Sequence, residues 1–137
     1  MIYITRREHF NAAHRLFKSE FSDEENLRVF GKCSNPNWHG HNYVLYVTVK
    51  GEVSAETGFL MNLKELSELI KIFILEPLDH KNVNLEVPFM KGIMPSTENL
   101  AIAIWNELDK HLARFSAQLH CVRLEETENN YVEYYGS

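Results

Sequence analysis

The chain has few cysteines and no long apolar run, and each shortage excludes a class of protein. Only two of its 137 residues are cysteines, Cys33 and Cys121, and they lie far apart without CxxC spacing. A disulfide framework is therefore not expected. No apolar stretch reaches the length of a membrane span, and "MIYITRREHF" at the start lacks the apolar core of a secretion signal. These shortages predict a cytoplasmic protein with no membrane partner.

Positive charge is also scarce. The chain has 14 lysines and arginines against 19 aspartates and glutamates, which gives a formal net charge of −5. Nucleic-acid-binding proteins usually present a basic face, so no nucleic-acid partner is expected. A local basic pocket for a small anionic substrate remains compatible with an acidic protein. With 45% hydrophobic residues, residues 1–137 are predicted to form a single globular domain.

Residue types and their alternation predict four strands. Residues 2–14 form the first, and the β-formers of "HNYVLYVTVKGEV" place the second over residues 41–53. "LHCVRLEET" predicts the third over residues 119–127. "ENNYVEYY" predicts a tight hairpin to the fourth, with Asn129 and Asn130 at the central turn positions because asparagine tolerates positive φ there.

Two helices lie between these strand pairs. Apolar residues at helical spacing predict a helix over residues 63–75 that Pro77 ends, and a second over residues 97–114 that Ser96 caps. Residues 16–38 and 78–89 show no sustained period and are predicted to be loops. The order β, β, α, α, β, β predicts an α+β fold with an antiparallel sheet, whose free edges would invite pairing with other protomers.

The segment "CSNPNWHGHNY" concentrates residue types that bind metals. His39 and His41 are two residues apart, so in a strand both side chains point to the same face. His14 ends the first predicted strand, and antiparallel pairing would bring it opposite this pair. Three neutral imidazoles suit zinc, and three protein ligands leave a coordination position open, as in catalytic sites. An H-x-H pair alone is weak evidence, and three histidines are not assigned to the site: His9, His111 and His120.

Six motifs occur in an order that resembles one enzyme family. They are "FNAAHRL", "FGKCSNPNWHGHNY", "GFLMNLKEL", "PLDHKNVN", "STEN" and "RLEETENN". From about residue 10 to 134 the chain resembles the 6-pyruvoyltetrahydropterin synthase family, which includes the 6-carboxytetrahydropterin synthases. The resemblance implies the T-fold, with a four-stranded antiparallel sheet and two helices on one face. It also implies that three protomers close a β-barrel and that two trimers stack into a homohexamer.

The resemblance also implies a cofactor and a reaction. Zinc would be bound by His14, His39 and His41. The substrate would be 7,8-dihydroneopterin triphosphate, which loses triphosphate and becomes 6-pyruvoyltetrahydropterin. The enzyme would be a carbon–oxygen lyase of tetrahydrobiopterin-type pterin biosynthesis, and the reaction includes an internal redox step.

The family pattern assigns the proton transfers to three residues. Cys33 would take a proton from carbon as a thiolate, which requires a lowered pKa. The alternative is a loop cysteine that packs as a small apolar residue. Asp79 and His80 would act as a general acid–base pair in which the carboxylate orients the imidazole. Without the resemblance, a solvated Asp79 and a capping His80 after a helix explain "LDH" equally well.

The pterin ring would be held by residues from "RLEETENN" and "STEN". A carboxylate accepts two parallel hydrogen bonds, and the resemblance assigns this role to Glu125. Glu126 and Glu128 are predicted to be solvated, since alternation allows only one of the neighbouring pair to face the ring. Thr97 and Glu98 are expected to contact the substrate, although helix capping explains them as well. The sequence does not select among four candidate cations for the triphosphate: Arg15, Lys32, Lys81 and Lys91.

Two features resemble the pyruvoyl-forming branch: the five-residue gap between Cys33 and His39, and "MNL" after the turn. The alternative is a 6-carboxytetrahydropterin synthase of the queuosine and deazapurine pathway, which releases acetaldehyde. The folate branch has glutamate in place of this cysteine, so Cys33 argues against it. A non-catalytic pterin-binding T-fold protein would need none of the three predicted catalytic residues. Trp38 departs from the smaller residue expected before the histidines.

Overall fold

A long antiparallel hairpin forms the centre of the sheet. In the computed structural model, which describes residues 1–137, β1 (Ile2–His14) pairs with β2 (His39–Gly51) along its whole length. The first predicted strand is confirmed at both ends. The second begins and ends two residues earlier than predicted, so His39 and His41 lie inside the strand and opposite the end of β1.

The sheet has five strands rather than four. Its order is β3 (Lys81–Asn82), β1, β2, β4 (Gln118–Thr127) and β5 (Asn130–Tyr134). The short β3 runs parallel to β1, so the sheet is mixed and the prediction of a purely antiparallel sheet is wrong at this edge. Two residues are too few to show alternation in a sequence, and their pairing exists only because the preceding helix ends beside β1.

The predicted hairpin is confirmed, but its turn lies one residue earlier. Thr127 pairs with Asn130, which leaves Glu128 and Asn129 in the turn. Neither asparagine has positive φ; the non-glycine residues that do are Trp38 and His80. The register shifts between Glu125 and Thr127, so Glu126 is the extra residue of a β-bulge and Asn130 already belongs to β5.

The first long loop contains a helix that was not predicted. Residues 16–38 include α1 (Asp23–Phe30) and a 3₁₀ turn (Gly31–Ser34). Ser22 caps α1 by accepting a hydrogen bond from the Glu25 N–H, and acidic residues occupy its first turn. Asn26 is the only residue of α1 that is buried. An apolar period was absent from the sequence because this helix lies on the surface.

The other helices cover one face of the sheet, as predicted. α2 (Leu63–Ile70) continues through a π-helical turn (Lys71–Leu75) into α3 (Glu76–Leu78), so the helix passes Pro77 instead of ending before it. The proline lies in the first turn of α3, where a missing N–H is tolerated. α4 (Thr97–Leu112) begins at the predicted cap, with the Ser96 hydroxyl accepting from the Asn99 N–H. A two-residue strand and a 3₁₀ turn (Pro88–Met90) occupy the second predicted loop.

The core lies between the helices and the face of the sheet that they cover. Tyr43, Leu45 and Leu124 from the sheet pack against Leu66 and Ile104 from the helices, and all five are fully buried. None of the helices combines the length and apolar character needed to cross a bilayer. The ends of β1 and β2 that carry the histidines lie at one edge of this core, so the polar site lies next to apolar side chains.

Candidate metal centre and active site

Three histidines converge where β1 ends and β2 begins. His14 lies directly opposite His39, and His41 lies two residues further along β2, opposite Ala12. All three side chains therefore point to the helix-covered face. One possible ligand nitrogen from each residue lies within 4.8 Å of the others. The structure brings together the three residues that the sequence predicted as metal ligands.

The chemistry of these nitrogens fits a metal ion. His14 Nε2, His39 Nδ1 and His41 Nε2 are buried and have no hydrogen-bond partner. An unsatisfied buried nitrogen is costly, and coordination to a cation would satisfy all three. The His14 Nδ1 lies 2.7 Å from the Pro95 carbonyl oxygen, so it donates there and leaves Nε2 with a free lone pair. Burial lowers the pKa of His14 and of His39, which favours the neutral, ligating form.

Cys33 faces the same region from the 3₁₀ turn. Its side chain is half-buried, and its main-chain carbonyl accepts a hydrogen bond of 2.8 Å from the Leu16 N–H. Burial and, second, the charge of Glu126 raise the pKa of the Cys33 thiol. Cys33 and Glu126 also raise the pKa of Tyr43, although burial is the larger cause there. A bound cation near the thiol would act in the opposite direction and favour the thiolate.

Glu126, and not Glu125, is the carboxylate on the histidine side. Its Oε1 lies 3.5 Å from His41 Nε2, and the Thr97 hydroxyl donates to its Oε2. Glu125 points to the opposite face of the sheet, where Arg123 Nη2 lies 3.1 Å from its Oε1. The sequence-based choice of Glu125 therefore puts the carboxylate on the wrong face relative to the histidines. Alternation correctly predicted that only one of the two glutamates faces the histidines. It did not indicate which one, because two bulges shift the register of β4 and cannot be recognised in the sequence.

A small cavity extends from Glu126 along the start of α4. It has a volume of about 200 Å³, and its lining comprises Thr97, Glu98, Glu126, Asn130, Tyr131 and Val132. Thr97 is buried and Glu98 is exposed, and both line the same space as the carboxylate, as expected for substrate-binding residues. Asn130 and Tyr131 were missed, because only the pairing of β5 with β4 brings them to this cavity.

Asp79 and His80 form a hydrogen-bonded pair on the other side of β1. His80 Nδ1 lies 3.0 Å from Asp79 Oδ2, while the Asn11 N–H donates to Asp79 Oδ1 at 2.9 Å. These contacts lower the pKa of Asp79, the Asn11 hydrogen bond being the largest cause. His80 has a φ of 59°, and its N–H donates to the Asn11 carbonyl at 2.6 Å. A left-handed backbone lets adjacent side chains meet, which sequence alone could not establish.

The pair and Cys33 do not line the same cavity within this chain. His80 and His41 line an open cavity of about 500 Å³ together with Lys81, and Cys33 is not part of its lining. Arg15 and Lys32 line a separate cavity of about 430 Å³ next to the Cys33 turn. None of these three cations forms an ion pair with a carboxylate of the chain. The structure thus brings the three metal ligands and the Glu126 carboxylate together, whereas Cys33 and the Asp79–His80 pair lie in different places.

The chain is similar to known proteins along nearly its whole length. A profile of the family described as 6-pyruvoyl tetrahydropterin synthase matches residues 3–137. The chain is 47% identical to the human 6-pyruvoyl tetrahydrobiopterin synthase over 97% of this chain and 90% of the relative. It is also 47% identical to the protein of that name from Dictyostelium discoideum, over 98% and 96%. A 6-carboxy-5,6,7,8-tetrahydropterin synthase from Bacillus subtilis is 29% identical over 92% of this chain and 80% of the relative.

Solved structures show the same fold. The Caenorhabditis elegans 6-pyruvoyl tetrahydropterin synthase superposes with a TM-score of 0.91 at 38% identity, covering 99% of this chain and 96% of that one. The Plasmodium vivax 6-pyruvoyl tetrahydropterin synthase has a TM-score of 0.68 at 16% identity, covering 98% of both chains, and shows the fold alone. The fold is the T-fold that the motifs implied. The profile match across nearly the whole chain and these relatives establish that the protein belongs to the 6-pyruvoyl tetrahydropterin synthase family.

Proposed function

We propose that the protein is a zinc-dependent lyase that converts 7,8-dihydroneopterin triphosphate to 6-pyruvoyltetrahydropterin and releases triphosphate. The three buried, unpartnered histidine nitrogens carry this proposal, because they provide an open metal site beside a thiol and a carboxylate. The names of the relatives at 47% identity support the pyruvoyl-forming reaction, and those named for the carboxy-forming reaction are less similar, at 28% and 29%.

The residues divide into holding and proton-transfer roles. Glu126 accepts hydrogen bonds from the 2-amino group and N3–H of the ring, in place of the Glu125 first predicted, and Thr97 orients its carboxylate. Glu98 lines the same cavity. Bound zinc supplies Lewis-acid chemistry toward the hydroxyl groups of the substrate side chain.

Proton transfer is the role of the remaining groups. Cys33 removes a proton from a side-chain carbon of the substrate, since a thiolate beside the histidine cluster acts as a base. Asp79 keeps its charge through the Asn11 N–H and holds His80 by Nδ1, so His80 exchanges protons at Nε2. The placement of Cys33 and of this pair in different cavities supports a working site that is complete only in an assembly, such as the implied homohexamer of two trimers.

The location and the assembly are part of the same proposal. Both cysteines are free, which fits the reducing conditions of the cytoplasm. Residues 2–10 of β1 and all of β5 have an unpaired edge, which supports pairing between protomers and closure of a barrel. Light scattering of the purified protein should give the mass of six 16.0 kDa chains.

Product analysis tests the reaction. Zinc-loaded protein is incubated with 7,8-dihydroneopterin triphosphate, and all products are identified by mass spectrometry. We expect triphosphate and 6-pyruvoyltetrahydropterin. Release of acetaldehyde would instead identify a 6-carboxytetrahydropterin synthase, and unchanged substrate with measurable binding would identify a non-catalytic pterin-binding protein.

A further inference from the structure

Arg15 connects the end of β1 to the turn that carries Cys33. Its Nε donates a hydrogen bond of 2.8 Å to the Ser34 carbonyl, and the neighbouring Leu16 N–H donates one of 2.8 Å to the Cys33 carbonyl. The guanidinium forms no ion pair and lies 4.0 Å from the centre of the Phe17 ring. Both carbonyl groups on this side of the Cys33 turn are therefore tied to the strand that carries His14.

Few other hydrogen bonds hold this turn in place. The Ser34 hydroxyl donates to the Gly31 carbonyl, and the Asn35 N–H donates to the Lys32 carbonyl, so these hydrogen bonds remain within the turn itself. Gly31 has a φ of 60°, which a glycine adopts without cost. Without Arg15, a single hydrogen bond from Leu16 would hold the turn to β1.

The main chain of Arg15 is fixed from the other side. The Asn84 carboxamide accepts from the Arg15 N–H and donates to the Arg15 carbonyl, each at 2.9 Å. Val83 N–H donates to the Ala13 carbonyl at 2.8 Å, so the chain that follows His80 runs alongside the end of β1. Arg15 thus joins the Cys33 turn, the metal-ligand strand and the segment that carries the acid–base pair.

We infer that Arg15 is a positioning residue, which holds Cys33 at a fixed distance from the metal-binding histidines. The inference rests on the proposed function, in which Cys33 transfers a proton. A displacement of about 1 Å between reacting groups is enough to reduce a rate by about 100-fold. The planar guanidinium is needed for this role, because it donates to Ser34 while stacking on Phe17, and a lysine ammonium cannot reproduce both contacts.

The test compares Arg15→Ala and Arg15→Lys in zinc-loaded enzyme. We expect kcat to fall by about 10- to 100-fold in both variants, with KM within about threefold of wild type. The rate of Cys33 alkylation by iodoacetamide, followed by mass spectrometry, should rise at least about threefold because the half-buried thiol becomes accessible. Cys121, which is 8% exposed, is the internal reference in the same spectra. Arg28→Lys, on the exposed surface of α1, is the matched control and should leave all three values unchanged.

Two results would overturn the inference. A raised KM with unchanged kcat and alkylation, restored by Arg15→Lys, would make Arg15 a phosphate-binding cation. Loss of zinc and of thermal stability in both variants, without a selective change at Cys33, would give it a purely structural role. The alkylation comparison does not depend on turnover. The alkylation comparison therefore tests the role of Arg15 even if wild-type enzyme releases no triphosphate, which is the result that would contradict the proposed function.

Discussion

Glu126 offers the sharpest test of the site, because its neighbour provides a matched control. We predict that Glu126→Gln reduces kcat/KM for 7,8-dihydroneopterin triphosphate by about 10- to 50-fold. Hydrogen bonds to a charged group contribute about 1.5–3 kcal/mol, equivalent to about 10- to 150-fold in binding. The Glu126 side chain is 26% exposed, and glutamine keeps one acceptor oxygen, so the lower part of this range applies.

The control is Glu125→Gln. Glu125 pairs with Arg123 on the opposite face of the sheet, away from the histidines, so its removal should change kcat/KM by less than about twofold. Steady-state kinetics of triphosphate release measure both variants, with zinc content determined in parallel because Glu126 lies 3.5 Å from His41. A large loss for Glu125→Gln together with wild-type kinetics for Glu126→Gln would refute the assignment.

The same variant has a consequence at Cys33. The negative charge of Glu126 is the second cause, after burial, of the raised pKa of this thiol. Removing the charge should lower the pKa of Cys33, so that alkylation begins at a lower pH in Glu126→Gln than in wild type. An unchanged pH profile would show that the carboxylate and the thiol do not share one site.

Four further results are expected. Chelation of the bound metal should lower the melting temperature, and added zinc should restore it, because the three buried nitrogens lose their partner on chelation; an unchanged melting curve would contradict the metal centre. Ser96→Ala should cost about 1 kcal/mol in urea unfolding by removing the cap of α4, and no loss would show that the Asn99 N–H finds another partner. Leu45→Ala should cost about 2–5 kcal/mol because the side chain is fully buried, whereas Leu85→Ala, at a residue 74% exposed, should cost almost nothing; equal losses would contradict the placement of the core. Asp79 has a pKa below its usual 3.8, so its stabilising contribution is present above about pH 4 and is lost as pH falls through the folded-state pKa; the difference in unfolding free energy between wild type and Asp79→Asn should shrink with acidification, and a constant difference would contradict the hydrogen bond to Asn11.

Local sequence determined the long elements and the metal ligands. The alternation of residue types over Ile2–His14 defines β1, and the Ser96 cap with its apolar period defines the start of α4, because these signals depend on neighbouring residues alone. His39 and His41 share a face by simple alternation, and antiparallel pairing of the two long strands was enough to predict His14 opposite them. The motifs that surround them were specific enough to identify the family.

Tertiary structure decided the features that depend on contacts between distant segments. The surface helix α1 buries almost nothing, and the two-residue β3 exists only through pairing with β1, so neither has a period of its own. The bulges in β4 determine that Glu126 rather than Glu125 faces the histidines. The positive φ of His80 brings its ring to Asp79, and Arg15 reaches Ser34 across 19 residues. Register, bulges and long-range hydrogen bonds arise from the packing of whole elements, and their energies cannot be summed over neighbouring residues in a sequence.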